Sequence, residues 1–210
     1  MKRTNRKKNP WADHYTRQAQ KDNFAARSVY KLQEIQKKHR VLSRGARVLD
    51  LGCAPGSWLQ YAARTAGPGG RLVGIDLTPV TIGLPDNVTT LTGDVADVER
   101  HLAELGQTRF DVVLSDMAPA TSGNRHVDEA RSMGLCEAAL VVADKTLVPG
   151  GSFVCKIFQG SDFKAFTDAV KQRFHRQVSF RPQSTRKASR EMFVIGLGKK
   201  IEGEKNVRTQ

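Results

Sequence analysis

The sequence predicts an α/β protein built on a doubly wound, mostly parallel sheet of seven strands, with helices on both faces and the last strand antiparallel. Three observations predict it. From Arg47 onward, short apolar runs alternate with segments of helical length, which is how βαβ units read in sequence. Residues 50–58, DLGCAPGSW, join one such run to a helix start through a turn carrying Gly52 and Gly56. A strand, a glycine-bearing turn and a helix form the ligand-cradling corner of such folds. Finally, the last two apolar runs are joined only by residues 181–190, too short for a helical crossover, so the final strand must run antiparallel.

The elements follow in order. Residues 11–40 predict one or two helices, with Val29, Leu32 and Ile35 on one face. Strands are predicted at 47–51, 71–75, 88–92, 110–115, 151–158, 177–181 and 191–197. Helices are predicted at 57–66, 95–105, 126–146 and 161–174. The glycine–proline clusters at 67–70 and 149–151 mark stops between them. A single domain over 11–198 is expected, preceded by a basic arm at 1–10 that stays disordered until it meets a polyanion, and followed by a polar tail at 199–210.

Composition narrows the partners. Thirty-four Lys and Arg against 21 Asp and Glu leave a formal charge of +13 in 210 residues. That surplus favours a phosphate backbone as partner. No run approaches the length of a membrane span and no apolar signal core opens the chain, so a cytoplasmic protein without membrane contact is expected. Cys53, Cys136 and Cys155 are few and far apart, and the five histidines show no ligand spacing; neither a disulfide framework nor a metal is predicted.

The spacing within DLGCAPGSW is G-x-x-x-G; neither G-x-G-x-x-G nor a phosphate loop occurs in the chain. Asp76, closing the apolar run 72–75, stands twenty positions after Gly56 and can accept hydrogen bonds from two ribose hydroxyls. An adenosine-like ligand without a pyrophosphate grip fits, and S-adenosylmethionine meets that description. Asp94 ends the third run; it could serve an adenine amino group or cap the helix beginning at Val95. Asp116, in SDMAP, follows an apolar strand into the same crevice, where a carboxylate needs a cation. Lys156 interrupts the otherwise apolar run 151–158 and is the candidate cation. Lys31, at the border of the apolar helix face, reads as a surface residue paired with Glu34, and Glu191 as a surface acid at a strand start. Ser184, Thr185 and Ser189, among Arg181, Arg186, Lys187 and Arg190, look suited to phosphate contacts.

DLGCAPGSW, IDLTP, TGD, SDMAP, KIFQG and SRE, in this order between residues 28 and 198, closely resemble the FtsJ-like (RlmE-type) family of S-adenosylmethionine-dependent ribose 2'-O-methyltransferases of 23S ribosomal RNA. The resemblance implies a Rossmann-like class I methyltransferase fold. It implies a catalytic tetrad of Lys31, Asp116, Lys156 and Glu191, with Gly56, Trp58, Asp76, Asp94 and Asp116 at the cofactor. It also implies a uridine of the peptidyl-transferase A-loop as target, with the large ribosomal subunit as partner of a monomeric enzyme. Lys31 and Glu191 take their roles from the resemblance alone. Cys53, Ser57 and Ala120 depart from the residues more usual at their positions. Two other classes share these features: a methyltransferase of another RNA, small-molecule or protein acceptor, and an RNA-binding assembly factor on the same fold.

Overall fold

The computed structural model describes residues 10–120, 122–201 and 203. Residues 1–9 of the expected basic arm, and most of the expected tail, lie outside the described residues. Two helices open the described chain, α1 (Pro10–Lys21) and α2 (Val29–His39), separated at Asn23, which takes a left-handed φ of 57°. There follow β1 (Arg47–Leu51), α3 (Ser57–Ala66), β2 (Arg71–Asp76) and β3 (Val88–Thr92). After a 3-10 turn at Val95–Asp97 come α4 (Val98–Glu104), β4 (Phe110–Ser115), α5 (Arg125–Thr146), β5 (Leu147–Phe158), α6 (Phe163–Arg173), β6 (Phe174–Phe180) and β7 (Glu191–Lys199).

The seven strands form one sheet in the order β3-β2-β1-β4-β5-β7-β6. Pairs from β3 to β5 are parallel; β7 runs antiparallel to both β5 and β6, as the short connection requires. Strand alternation divides the core in two. Leu49, Leu51, Phe153, Cys155 and Ile157 face α4, α5 and α6. Val48, Val112, Leu114, Val154 and Phe193 face α2 and α3, where Leu32, Ile35, Leu59 and Ala62 cover them. Val29, Leu32 and Ile35 are fully buried, as their spacing on α2 predicts. Cys53, Cys136 and Cys155 are free and buried, filling space as small apolar side chains.

Several boundaries differ from the sequence reading. β5 starts at Leu147, not 151: the strand passes through Pro149 and Gly150, and the register against β4 shifts between Phe110 and Val112. Such an irregularity tolerates a proline without N–H and a glycine at φ 80°. β6 starts at Phe174, because this side chain is buried, stacked on Phe153 and seated against Gly196. The helix expected at 95–105 splits into a 3-10 turn and α4, because Asp94 accepts from the Ala96 N–H and tightens the first turn. Finally, α6 spans 163–173 instead of 161–174.

Two glycines shape the corner that follows β1. Gly52 has φ 77° and Gly56 φ 105°. A Cβ on Gly52 would lie 2.6 Å from Met117 Cγ, and one on Gly56 2.7 Å from Ile82 Cδ1. The crowding is therefore between parts of this chain itself. Gly52→Ala is expected to cost about 2 kcal/mol, from the left-handed backbone and from displacement of Met117; denaturant titration checks it, and a variant as stable as the parent would refute it.

Candidate active site

The C-terminal ends of β1, β2, β3 and β4 open into one cleft of about 340 Å³. Gly52, Ala54, Asp76, Asp94, Asp116 and Met117 line it, together with Ile75, Leu77, Gly93, Val95, Ala118 and Leu135. Ligand sites of open α/β sheets lie at such carboxyl ends. Three of the acids singled out in the sequence thus meet here. Asp76 is held by its surroundings: one carboxylate oxygen accepts from the Ala54 N–H at 3.0 Å and the other from the Thr78 N–H at 2.8 Å. Asp94 lines the cleft while its Oδ1 caps the 3-10 turn from 2.9 Å, so both roles considered for it are compatible.

Gly56 and Trp58 stand outside this lining. Trp58 is buried; its indole Nε1 donates to the Ser28 carbonyl at 2.9 Å, and its ring lies 5.8 Å from that of Phe193. The Ser28 and Ser57 hydroxyls share a second bond across the same junction. Trp58 therefore fastens the start of α2 to α3 and to the sheet.

Lys156 lies on the α2/α3 face of β5 beside the far end of the cleft. Its ammonium donates to the main-chain carbonyl of Asp116 and lies 3.0 Å from Asp116 Oδ1. The side chains are 7% and 16% exposed, so the pair is largely desolvated. Cys136 Sγ donates to the Lys156 carbonyl from the opposite face. The neighbouring strand brings the second pair. In the β5–β7 register Lys156 faces Phe193 and Phe158 faces Glu191. Glu191 thus sits on the same side of the sheet as Lys156. Glu191 Oε1 lies 2.6 Å from Lys31 Nζ, with both side chains nearly buried. The ammonium of Lys31 also lies 5.9 Å from the Phe193 ring centre. The Lys31–Glu34 surface pair expected from the sequence does not form; Glu34 turns instead to the loop between β6 and β7. That loop also corrects the expected phosphate contacts, since Ser184 and Thr185 are buried with their hydroxyls turned inward.

Two residues at the site lie outside the sequence reading, Asp50 and Leu77. Asp50 in β1 is 1% exposed, and neither of its carboxylate oxygens has a hydrogen-bond partner among the described residues. Burial pushes its carboxyl well above the usual range, and the charges of Asp116 and Asp76 push it further. The signal was visible: a charged residue inside Val48-Leu49-Asp50-Leu51 is as out of place as Lys156 in β5. Burial first, and then the charges of Asp50 and Asp76, raise the Cys53 thiol. Leu77, 73% exposed on the rim of the cleft, was also passed over because a lone apolar residue after an acid carries no pattern. Among the described residues no group of His, Cys, Asp and Glu is arranged to hold a metal, and no helix is long and apolar enough to cross a membrane.

Comparison with known proteins agrees with this geometry. The chain is 58% identical over 198 residues to the ribosomal RNA large subunit methyltransferase E of Desulforapulum autotrophicum, covering 94% of this chain and 98% of the relative. It is 51% identical to the protein of the same name from Desulfatibacillum aliphaticivorans, over the whole of both chains. Among solved structures, one described as a ribosomal RNA methyltransferase from Plasmodium falciparum superposes with a TM-score of 0.75 at 26% identity, over 84% of this chain and 98% of that one. A fibrillarin pre-rRNA processing protein from Methanococcus jannaschii shares the fold, with a TM-score of 0.58 at 16% identity over 77% of this chain and 70% of that one. The model of the FtsJ-like methyltransferases matches residues 24–199, and the chain belongs to that family.

Proposed function

We propose that the protein transfers a methyl group from S-adenosylmethionine to a ribose 2'-hydroxyl of 23S ribosomal RNA, at a uridine of the peptidyl-transferase A-loop, in the assembled large subunit. It acts as a cytoplasmic monomer. The observation that carries the reading is the double position of Asp116, which lines the nucleoside-sized cleft and also pairs with Lys156. Donor site and proton-handling group are thereby joined through a single side chain.

The cleft suits this cofactor. Asp76 is fixed where it can accept from both ribose hydroxyls, and Asp94 where it can accept from an adenine amino group. Leu77, Val95 and Leu135 offer apolar surface to the base. The carboxyl of Asp50, without a hydrogen-bond partner and close to Asp76 and Asp116, can ionise to meet a ligand that carries positive charge. Gly52 and Gly56 shape the loop, and Trp58 supports it from beneath. When bound, the cofactor supplies a methyl on a sulfonium, already activated for in-line displacement.

What remains for the protein is alignment and removal of one proton. Lys156, fixed by Asp116, takes or directs the 2'-OH proton as the oxygen attacks the methyl carbon. Lys31 and Glu191 orient the ribose on the α2 side. The excess of basic residues, including Arg181, Arg186, Lys187 and Arg190 beside Glu191, supplies contacts to the RNA backbone.

The test is to incubate the protein with methyl-labelled S-adenosylmethionine and either free 23S RNA or unmethylated large subunits. The product is mapped by alkaline cleavage, which a 2'-O-methyl group blocks. Label in a single resistant linkage, stronger on the subunit, is the expected result; label in base or protein, or in a small molecule, would overturn the reading. Affinity for the RNA should also fall by about 10³-fold or more between 50 and 200 mM salt, as for a protein making several phosphate contacts. Salt-insensitive binding would contradict it.

A further inference from the structure

The Lys31–Glu191 pair joins a helix near the start of the described chain to the first residue of its last strand. The loop of residues 181–190, which leads into Glu191, is fastened to α2 on both sides of Lys31. Four positions before Lys31, Arg27 donates from Nη2 to the Ser184 carbonyl at 2.7 Å. Three positions after it, Glu34 accepts from two consecutive main-chain N–H groups, Gln183 at 2.6 Å and Ser184 at 2.9 Å. A carboxylate bound through both oxygens to adjacent amides holds distance and orientation together, and bonds to an ionised acceptor are the stronger kind. Nothing else on α2 explains this use of Glu34, since its expected partner Lys31 is turned away to Glu191.

Other contacts hold the rest of the loop without setting its distance from α2. Arg181 Nη2 donates to the Ser189 carbonyl at 2.6 Å within the loop. Arg190 pairs with Glu129 on α5, on the opposite side of the sheet. The hydrogen bonds from the loop to α2 and the turn before it come from Glu34 and Arg27, while His39 and Lys38 at the other end of α2 pack on Phe180, the residue before the loop. Arg27 is itself packed over the Tyr15 ring.

We propose that Glu34 is a positioning residue for the methyl-transfer site: by clamping Gln183 and Ser184 to α2 it sets the separation of Lys31 and Glu191, and so the placement of the acceptor ribose. The inference rests on the functional reading above. Glu34 touches neither cofactor nor reacting atoms; its effect should fall on turnover, not on cofactor affinity.

Two variants of the full-length protein test this, Glu34→Ala and Glu34→Gln. Alanine removes both acceptors; glutamine removes the charge but keeps one carbonyl acceptor. With unmethylated large subunits, Glu34→Ala is expected to lower kcat by about tenfold or more, the effect of misplacing a reacting group by less than an ångström or so. Its S-adenosylmethionine Kd should stay within about twofold, because the cleft is elsewhere. Hydrogen exchange should speed up at the Gln183 and Ser184 amides and stay unchanged in β1, β4 and β5. Glu34→Gln should fall well short of the parent, because its amide NH2 would face one of the two main-chain N–H groups that the carboxylate accepts from. Unchanged turnover in Glu34→Ala overturns the proposal, as does a general rise of exchange across the sheet. Parental turnover in Glu34→Gln also overturns it, because glutamine cannot accept from both amides at once. If the unaltered protein methylates no ribose, the functional reading fails instead, and the exchange at Gln183 and Ser184 still decides whether the clamp exists.

Discussion

Alanine in place of Lys156 is expected to reduce methyl transfer by about 10³-fold, the scale of a lost proton-transfer group, while S-adenosylmethionine still binds. Lys156 is 7% exposed, pairs with Asp116 and is not among the residues lining the cleft. Its removal takes the proton acceptor, or the steering donor, from the site, yet leaves every residue of the cleft lining in place. Cofactor affinity should hold or rise, since Asp116 loses its internal cation and is free to favour a positive ligand. A structural cost accompanies this, because breaking a buried pair from one side destabilises by roughly 3–5 kcal/mol. Lys156→Met, which keeps the aliphatic stem, separates the two effects. Both variants should be inactive, and methionine should be the better folded. Single-turnover assays together with equilibrium cofactor binding make the measurement; near-parental turnover in either variant would remove Lys156 from the mechanism.

Cofactor binding is expected to release up to about one proton at a pH between the ordinary carboxylate range and the raised value of Asp50, its source. In the free protein burial, and then the charges of Asp116 and Asp76, push this carboxyl well above the usual range. A positively charged ligand in the adjoining cleft would make the charged form less costly, so that the proton would leave on binding. Calorimetric titration in buffers of different ionisation enthalpy counts that proton. Asp50→Asn, with nothing to release, should abolish it. The sign of the accompanying stability change is fixed. Because the native carboxyl titrates above the unfolded one, between the two values the native state holds a proton that the unfolded chain has lost. Stability from this group is therefore complete below the ordinary carboxylate range and lost as pH rises through the raised value. Relative to the parent, Asp50→Asn should gain thermal stability progressively across that window. A parent protein that binds the cofactor with no proton release, or a variant whose melting temperature follows the parent's at every pH, would count against this account.

Asp50 also shows how far a sequence can be read. Asp116 and Lys156 stand out because charge interrupts an apolar run, and a parallel strand covered on both faces leaves few places to solvate it. The structure sets the two 3.0 Å apart. The same rule applied inside β1 would have flagged Asp50, where the glycine turn that follows drew the attention instead. Lys31 and Glu191 carry no such signal. Each stands at an element border where a charged residue is ordinary, and their meeting depends on a strand order that places β7 between β5 and β6. Residue-level pattern does not encode that order. The glycine turn was legible as a corner, but the partner of each missing Cβ was not: Met117 and Ile82 come from distant loops. Boundaries slipped where packing decided them, as at Phe174, drawn into β6 by Phe153 and Gly196.

The position of β7 has a consequence for the order in which the enzyme matures. All residues lining the cofactor cleft lie between positions 52 and 135, whereas the second ion pair waits for Glu191. During synthesis the cleft can be assembled while the C-terminal hairpin is still inside the ribosome that makes it. The nascent protein would then hold its methyl donor before it could use it. Pairing of the last strand with β5 brings Glu191 to Lys31, so on the proposed mechanism catalytic competence would wait for that strand. A truncated or stalled chain would thus be a cofactor-binding protein and not a methyltransferase.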